Sequence, residues 1–256
     1  KGDKLLFSGR QKLNKRWKLF FLLFNNCGKP ISDQILINEL NLFENATPEQ
    51  SLRALVYRLR KELTEENEEQ SFIYTEKGSY GFNPDSNYWA DCLQFEELIN
   101  GLKNNNFAIE QSLDIYQQAL NLYKGSFLEN QKITNKNLLY KREEYRDYYL
   151  NTVKENATLF WQQSRYRAAV NLYETALQLY PLNLDLHLTL IHLSKKMGRP
   201  DWAKIKLEEA LSLFQNNGFE IPAALKKEMN LFSKINLEEK PESVLANNSQ
   251  KRRKSF

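Results

Sequence analysis

TPEQSLRALVYRLRKEL, residues 47–63, reads as a capped helix with two chemically different faces. Thr47 is a good N-cap, Pro48 suits the first helical position, and Gln50 three residues on completes a T-x-x-Q capping box. Leu52, Leu55, Val56, Leu59 and Leu63 recur at helical spacing and share one face. The opposite face carries Gln50, Ala54, Tyr57, Arg58 and Lys61, with Arg53 and Arg60 on its flanks. One side is core. The other is basic with an aromatic and an amide, the chemistry that rests on phosphates and reaches base edges in a major groove. Taken alone, such a helix is equally a surface helix with solvated charges, so its neighbours decide. Gln50 is assigned to the cap rather than to a base.

Upstream, Trp17, Phe20, Phe21 and Phe24 fall at i, i+3, i+4, i+7 and predict an apolar helix over residues 14–26, stopped by Gly28 and Pro30. Leu5 to Phe7, followed by Ser8-Gly9, reads as a short strand and turn. Ser32 caps a second helix that runs to about Leu40, and a turn-rich connection, Asn41 to Ala46, leads into residues 47–63. Lys15, Arg16 and Lys18 open the first helix, where a solvated face is the expectation and a phosphate contact the alternative. Downstream of the acidic segment Glu65 to Gln70, Phe72-Ile73-Tyr74-Thr75 and Tyr80-Gly81-Phe82 flank a turn and predict a β-hairpin. Three helices with a hairpin on the end make a winged helix-turn-helix, with the third helix in the major groove and the hairpin wing beside it.

Beyond Tyr88 the strand signals stop. Amphipathic helices are expected over residues 91–102, 108–123 and, after a loop, from Leu138 toward Trp161. Phe160, Ala169, Tyr173, Ala176 and Pro181 then match the later half of a tetratricopeptide repeat, and a shift of 34 residues meets Leu190, Ala203, Leu207 and Ala210. Met197-Gly198-Arg199 is the turn between helices. The fold class is mainly α: a winged helix-turn-helix over residues 1–86, a tetratricopeptide-like array over 87–236, and a disordered basic tail over 237–256 that ends in KRRK.

The net charge is only +4 across 256 residues, but the first 20 hold seven Lys or Arg against one Asp. A basic front end suits an anionic partner. Cys27 and Cys92 show no pairing or metal spacing, which fits a reduced, cytoplasmic protein. The apolar run Leu19 to Phe24 is far short of the ~20 residues a membrane span needs, so no membrane partner is expected. No phosphate-loop, H-E-x-x-H or G-x-S-x-G motif occurs, and the reading is not an enzyme, with no cofactor and no metal. His187 and His192 lack ligand partners at useful spacing, and His187 falls at a packing position of the second repeat. Glu65, Glu66, Glu68 and Glu69 lack the spaced Asp and Gly of a calcium loop, which leaves a solvated loop.

The ordered set Tyr57 to Leu63 (YRLRKEL) and Lys77 to Phe82 (KGSYGF) resembles the OmpR/PhoB-type winged helix with its RLRKKL…GYRF pattern. Trp89-Ala90-Asp91, Phe95-Glu96, Leu122 to Leu128 (LYKGSFL) and Gly218 to Pro222 (GFEIP) resemble the bacterial transcriptional activator domain. The pairing is similar to transcriptional activators of the antibiotic-regulatory-protein (SARP) type. The resemblance implies a DNA-binding activator that recognises direct repeats of double-stranded DNA at promoters, contacts RNA polymerase, and has scope for self-association on DNA and for an upstream sensory domain. It places Arg58, Arg60 and Lys61 on the recognition helix and Lys77, Ser79 and Tyr80 in the wing, beside Arg53 and Tyr57 from the helix periodicity. Gly81 departs from the pattern, which carries Arg there, and Lys77 is the substitute basic contact. A second function class stands beside the first: a tetratricopeptide-type interaction or signal-receiving module with degenerate DNA binding.

Overall fold

The structure is a computed structural model, and it describes residues 13–63, 71–129 and 131–238. The expected strand at Leu5 to Phe7, the acidic segment 65–70 and residues 239–256 of the basic tail lie outside the described residues. The chain divides into two compact units, Lys1–Thr152 and Val153–Phe256.

The first unit opens with α1 (Lys15–Asn25), whose first turn is capped by Asn14, with Oδ1 3.0 Å from the Trp17 amide. Next come β1 (Ile31–Ser32), α2 (Asp33–Glu39), α3 (Pro48–Leu63), β2 (Ile73–Glu76) and β3 (Ser79–Phe82). The expected hairpin is present, but β1 adds a third strand that the sequence reading did not contain. It pairs antiparallel with β3, giving the order β1-β3-β2. Two residues of alternation are too few to register as a strand; the pairing depends on where β3 lies.

Leu19, Leu23, Leu36, Leu52, Val56, Leu59, Ile73 and Phe82 form the core of this winged helix. The aromatic stripe of α1 receives the wing: Phe82 meets Phe24 edge-on at 5.3 Å and Phe20 at 5.8 Å between centroids. Tyr88 closes the same cluster against Phe82, and its hydroxyl lies 3.4 Å from Cys27 Sγ. Burial, then the Cys27 hydrogen bond, push that phenol up to about 12.

Three further elements complete the unit: α4 (Asp91–Asn104), α5 (Ile109–Leu122), which packs on α4, and the first part of α6 (Lys136–Gln162). Asn135 caps α6 through the Leu138 amide at 2.9 Å, while its Nδ2 donates to Glu39 at the end of α2. Leu138 itself is buried in the winged-helix core.

The second unit holds the rest of α6, then α7 (Tyr166–Leu179), α8 (Leu184–Lys196), α9 (Pro200–Asn216) and α10 (Ala223–Glu238). Ala169, Tyr173, Ala176, Leu190, Ala203, Leu207 and Ala210, the repeat positions read from the sequence, are all buried. Small residues at 169, 176, 203 and 210 let helix backbones approach closely, which is why that spacing marks a stacked array. His187 lies in the packing, as expected. Its Nε2 is 2.7 Å from the Pro181 carbonyl, its ring meets Phe214, and burial lowers its pKa.

Candidate nucleic-acid interface

Helix α3 runs 16 residues, about 24 Å at 1.5 Å per residue, enough to follow a major groove through its floor. Leu52, Val56 and Leu59 seal one face into the core. The consequence for the other face is geometric: Arg53, Ala54, Tyr57, Arg58 and Lys61 are all exposed, and Tyr57 keeps 67% of its surface open. Gln50 is exposed at the first turn, and the Ser51 amide donates to the Thr47 carbonyl at 3.0 Å.

Arg60 differs from its neighbours. Its Nε donates to the Ile73 carbonyl at 3.0 Å and an Nη to Thr75 Oγ1 at 2.7 Å. The side chain ties α3 to β2 and fixes the wing relative to the helix. A second tie runs through the hairpin turn, where the Gly78 carbonyl accepts from the Asp33 amide at 2.9 Å. Lys77 and Gly78 have φ of 38° and 75°, the two positive values that a two-residue type I′ turn demands. Lys77 stands exposed at the tip.

Ser79 is half-buried, paired with Glu76 on one side and Ser32 on the other. Tyr80, expected among the wing contacts, is only 7% exposed and belongs to the core. The correction follows from strand alternation. Tyr80 pairs with Ile31 and Thr75, while the outward pair is Tyr74 with Gly81. A β-carbon on Gly81 would stand 2.3 Å from Tyr74 Cζ, so the ring covers the position where the family pattern carries Arg. Tyr74 was missed in the sequence, although counting outward from a two-residue turn at Lys77-Gly78 gives this register.

The basic residues of α1 each find a partner within the fold, Lys15 while remaining exposed as expected. Lys15 Nζ donates to the Asn41 carbonyl at 2.9 Å and Lys18 Nζ to the Glu39 carbonyl, placing two cations at the C-terminal end of α2, where its dipole favours them. Arg16 Nε lies 2.9 Å from Glu62 Oε2. Among the described residues of α3 and the wing tip, Arg53, Arg58, Lys61 and Lys77 stay exposed. Among the described residues no cluster of three or more His, Cys, Asp or Glu has the arrangement to hold a metal, and no helix is long and apolar enough to cross a membrane.

The family "Transcriptional regulatory protein, C terminal" matches residues 11–81, and "Tetratricopeptide repeat" matches residues 160–226. These are regulator and repeat families, not enzyme families. The two matches place a regulatory-protein winged helix ahead of a tetratricopeptide-like array. Among solved structures, Mycobacterium tuberculosis EmbR, in complex with a low-affinity phosphopeptide, is similar at a TM-score of 0.59 and 15% identity over 93% of this chain. The chain spans 61% of the length of that protein. No curated protein matches.

Proposed function

We propose that the chain is a sequence-specific double-stranded-DNA-binding regulator, an activator that reads direct repeats at promoters and contacts RNA polymerase. In this reading residues 1–86 bind DNA and residues 87–236 form the activation and interaction domain. The observation that carries it is the exposed face of α3. Arg53, Tyr57, Arg58 and Lys61 share that face, and the core holds the helix from behind. Arginine at such a site can bond guanine O6 and N7 in bidentate fashion, lysine meets phosphates, and Tyr57 supplies a flat amphipathic contact. Lys77 extends the positive surface to the wing. Arg60 and Tyr80 are left out of the contact set, the first as a positioning residue and the second as core.

A direct repeat would be read by two protomers set head to tail, each laying one such helix in adjacent turns of one groove. The test is selection of bound sequences from a random duplex library, followed by titration of the winner at two salt concentrations. An enriched direct repeat, bound far more tightly than random duplex, is the expected result. Affinity should fall by about 0.9 log units per phosphate contact for each tenfold rise in salt. No enrichment, with only weak salt-sensitive binding, would overturn the reading and leave the helical array as the functional part.

A further inference from the structure

Phe21 of α1, Phe95 of α4, Tyr123 and Phe127 of the segment after α5, and Tyr145 of α6 surround a cavity of about 390 Å³ within the first unit. That volume lies in the range of small-molecule sites. The rings hold one another at angles. Phe127 meets Phe21 at 6.0 Å and 88° and Tyr145 at 5.7 Å and 49°, and Tyr123 meets Phe95 at 6.0 Å and 50°. The wall opposite α4 is fixed by Arg142, whose Nε donates to the Phe127 carbonyl at 2.7 Å and whose Nη donates to the Leu128 carbonyl. Leu128 is held there at φ 52°, a conformation a leucine adopts only when its surroundings impose it.

The charged groups on the lining are Asp91 and Glu129 against Lys124. Asp91 Oδ1 accepts from the Cys92 amide at 2.8 Å, which holds its carboxylate at the first turn of α4. The Glu129 carboxylate is folded back over the loop, its Oε2 2.7 Å from where a β-carbon on Gly125 would sit. Asp91, Glu129 and Lys124 are all exposed and leave one net negative charge on the lining, which together with the aromatic walls favours a cation. Cys92 lies partly buried on the same wall.

We infer that this cavity binds a small organic ammonium ion with an aromatic body, the body among the five rings and the charge toward Asp91 and Glu129. The site joins α1, which belongs to the winged helix, to α4 and α6, so its occupant touches Phe21, which packs against the winged-helix core, and the helices that follow. The inference stands apart from the DNA-binding reading and needs no DNA to test.

Phenethylamine is the probe, and 3-phenylpropionate, of the same size and opposite charge, is its control. The full chain is alkylated with iodoacetamide in the presence of each, and modification of Cys92 is followed by peptide mass spectrometry with Cys27 as the internal reference. Phenethylamine should slow Cys92 saturably and leave Cys27 unchanged, and 3-phenylpropionate should do neither. Glu129→Gln, at an exposed side chain, should weaken the protection roughly fivefold. Isothermal titration of the same samples gives the affinity directly if the thiol reacts too slowly to follow. Absence of binding by titration, equal binding of the anion, or an unchanged Glu129→Gln variant would each overturn the proposal.

Discussion

The phenol ring of Tyr74 lies across Gly81, its partner on the neighbouring strand, so closely that a β-carbon there would stand 2.3 Å from Cζ and 2.5 Å from the hydroxyl oxygen. An aromatic laid over a cross-strand glycine covers backbone that would otherwise be open to water, and pins the register of the pair. The two residues act as a unit. Gly81→Ala should destabilise the chain by about 1 kcal/mol by forcing the ring aside. In a Tyr74→Ala background the same change should cost nothing. Urea denaturation of the four proteins gives the coupling, and equal costs in both backgrounds would refute it.

Arg58 and Arg60 are two residues apart and should behave oppositely. Arg58→Ala should leave the urea midpoint unchanged and cost about 1 to 3 kcal/mol in specific DNA binding, read by fluorescence anisotropy. Unchanged affinity for every sequence would remove Arg58 from the groove.

Arg60→Ala should destabilise the winged helix and speed amide exchange in β2. Ile73 O keeps the Ser71 hydroxyl at 2.9 Å as a partner, so it is not left bare, and the cost is about 1 kcal/mol. Exchange in residues 73–76 that matches the parent would show that the tether to the wing carries no weight.

Lys77 occupies the first central position of a turn that favours Asn-Gly. Lys77→Asn should stabilise the hairpin by about 0.5 kcal/mol while removing a charge from the wing tip. If the wing meets phosphate, the DNA affinity of this more stable variant falls and its salt slope drops by about one. A variant that is more stable with unaltered binding would place Lys77 off the DNA.

In the second unit, Glu228 on α10 joins Lys195 Nζ at 2.5 Å and His192 Nε2 at 2.9 Å, both on α8. Burial pushes the carboxyl up, but the hydrogen bonds from Lys195 and His192 outweigh it and leave the pKa below the usual 4.5. A carboxylate depressed on folding adds stability above its unfolded pKa and loses it as pH falls through the folded value. Glu228→Gln should therefore lower the melting temperature at neutral pH, and the gap to the parent should close on acidification below about 4.5. A gap independent of pH would mean that the loss is one of packing.

Features with a local pattern are legible in the order of residues alone. The apolar stripes of α1 and α3 and the repeat of alanines from 169 to 210 each specify a face, and the run of β-formers marks β2, so these elements and the basic side of α3 were legible. The turn over Glu76 to Ser79 was legible from its residue types. Side-chain destinations were not, because they depend on groups brought near only by folding. Arg60 and Arg58 sit on the same helix with the same chemistry, and Arg60 is withdrawn because Ile73 and Thr75 happen to pass beside it. Tyr80 is core and Tyr74 covers Gly81 because α1 packs against one face of the sheet and leaves the other. Lys15 and Lys18 go to the end of α2 because its carbonyls need donors. Periodicity decides which face of an element is apolar; only the packed structure decides which of its polar groups are already engaged and which remain for a partner.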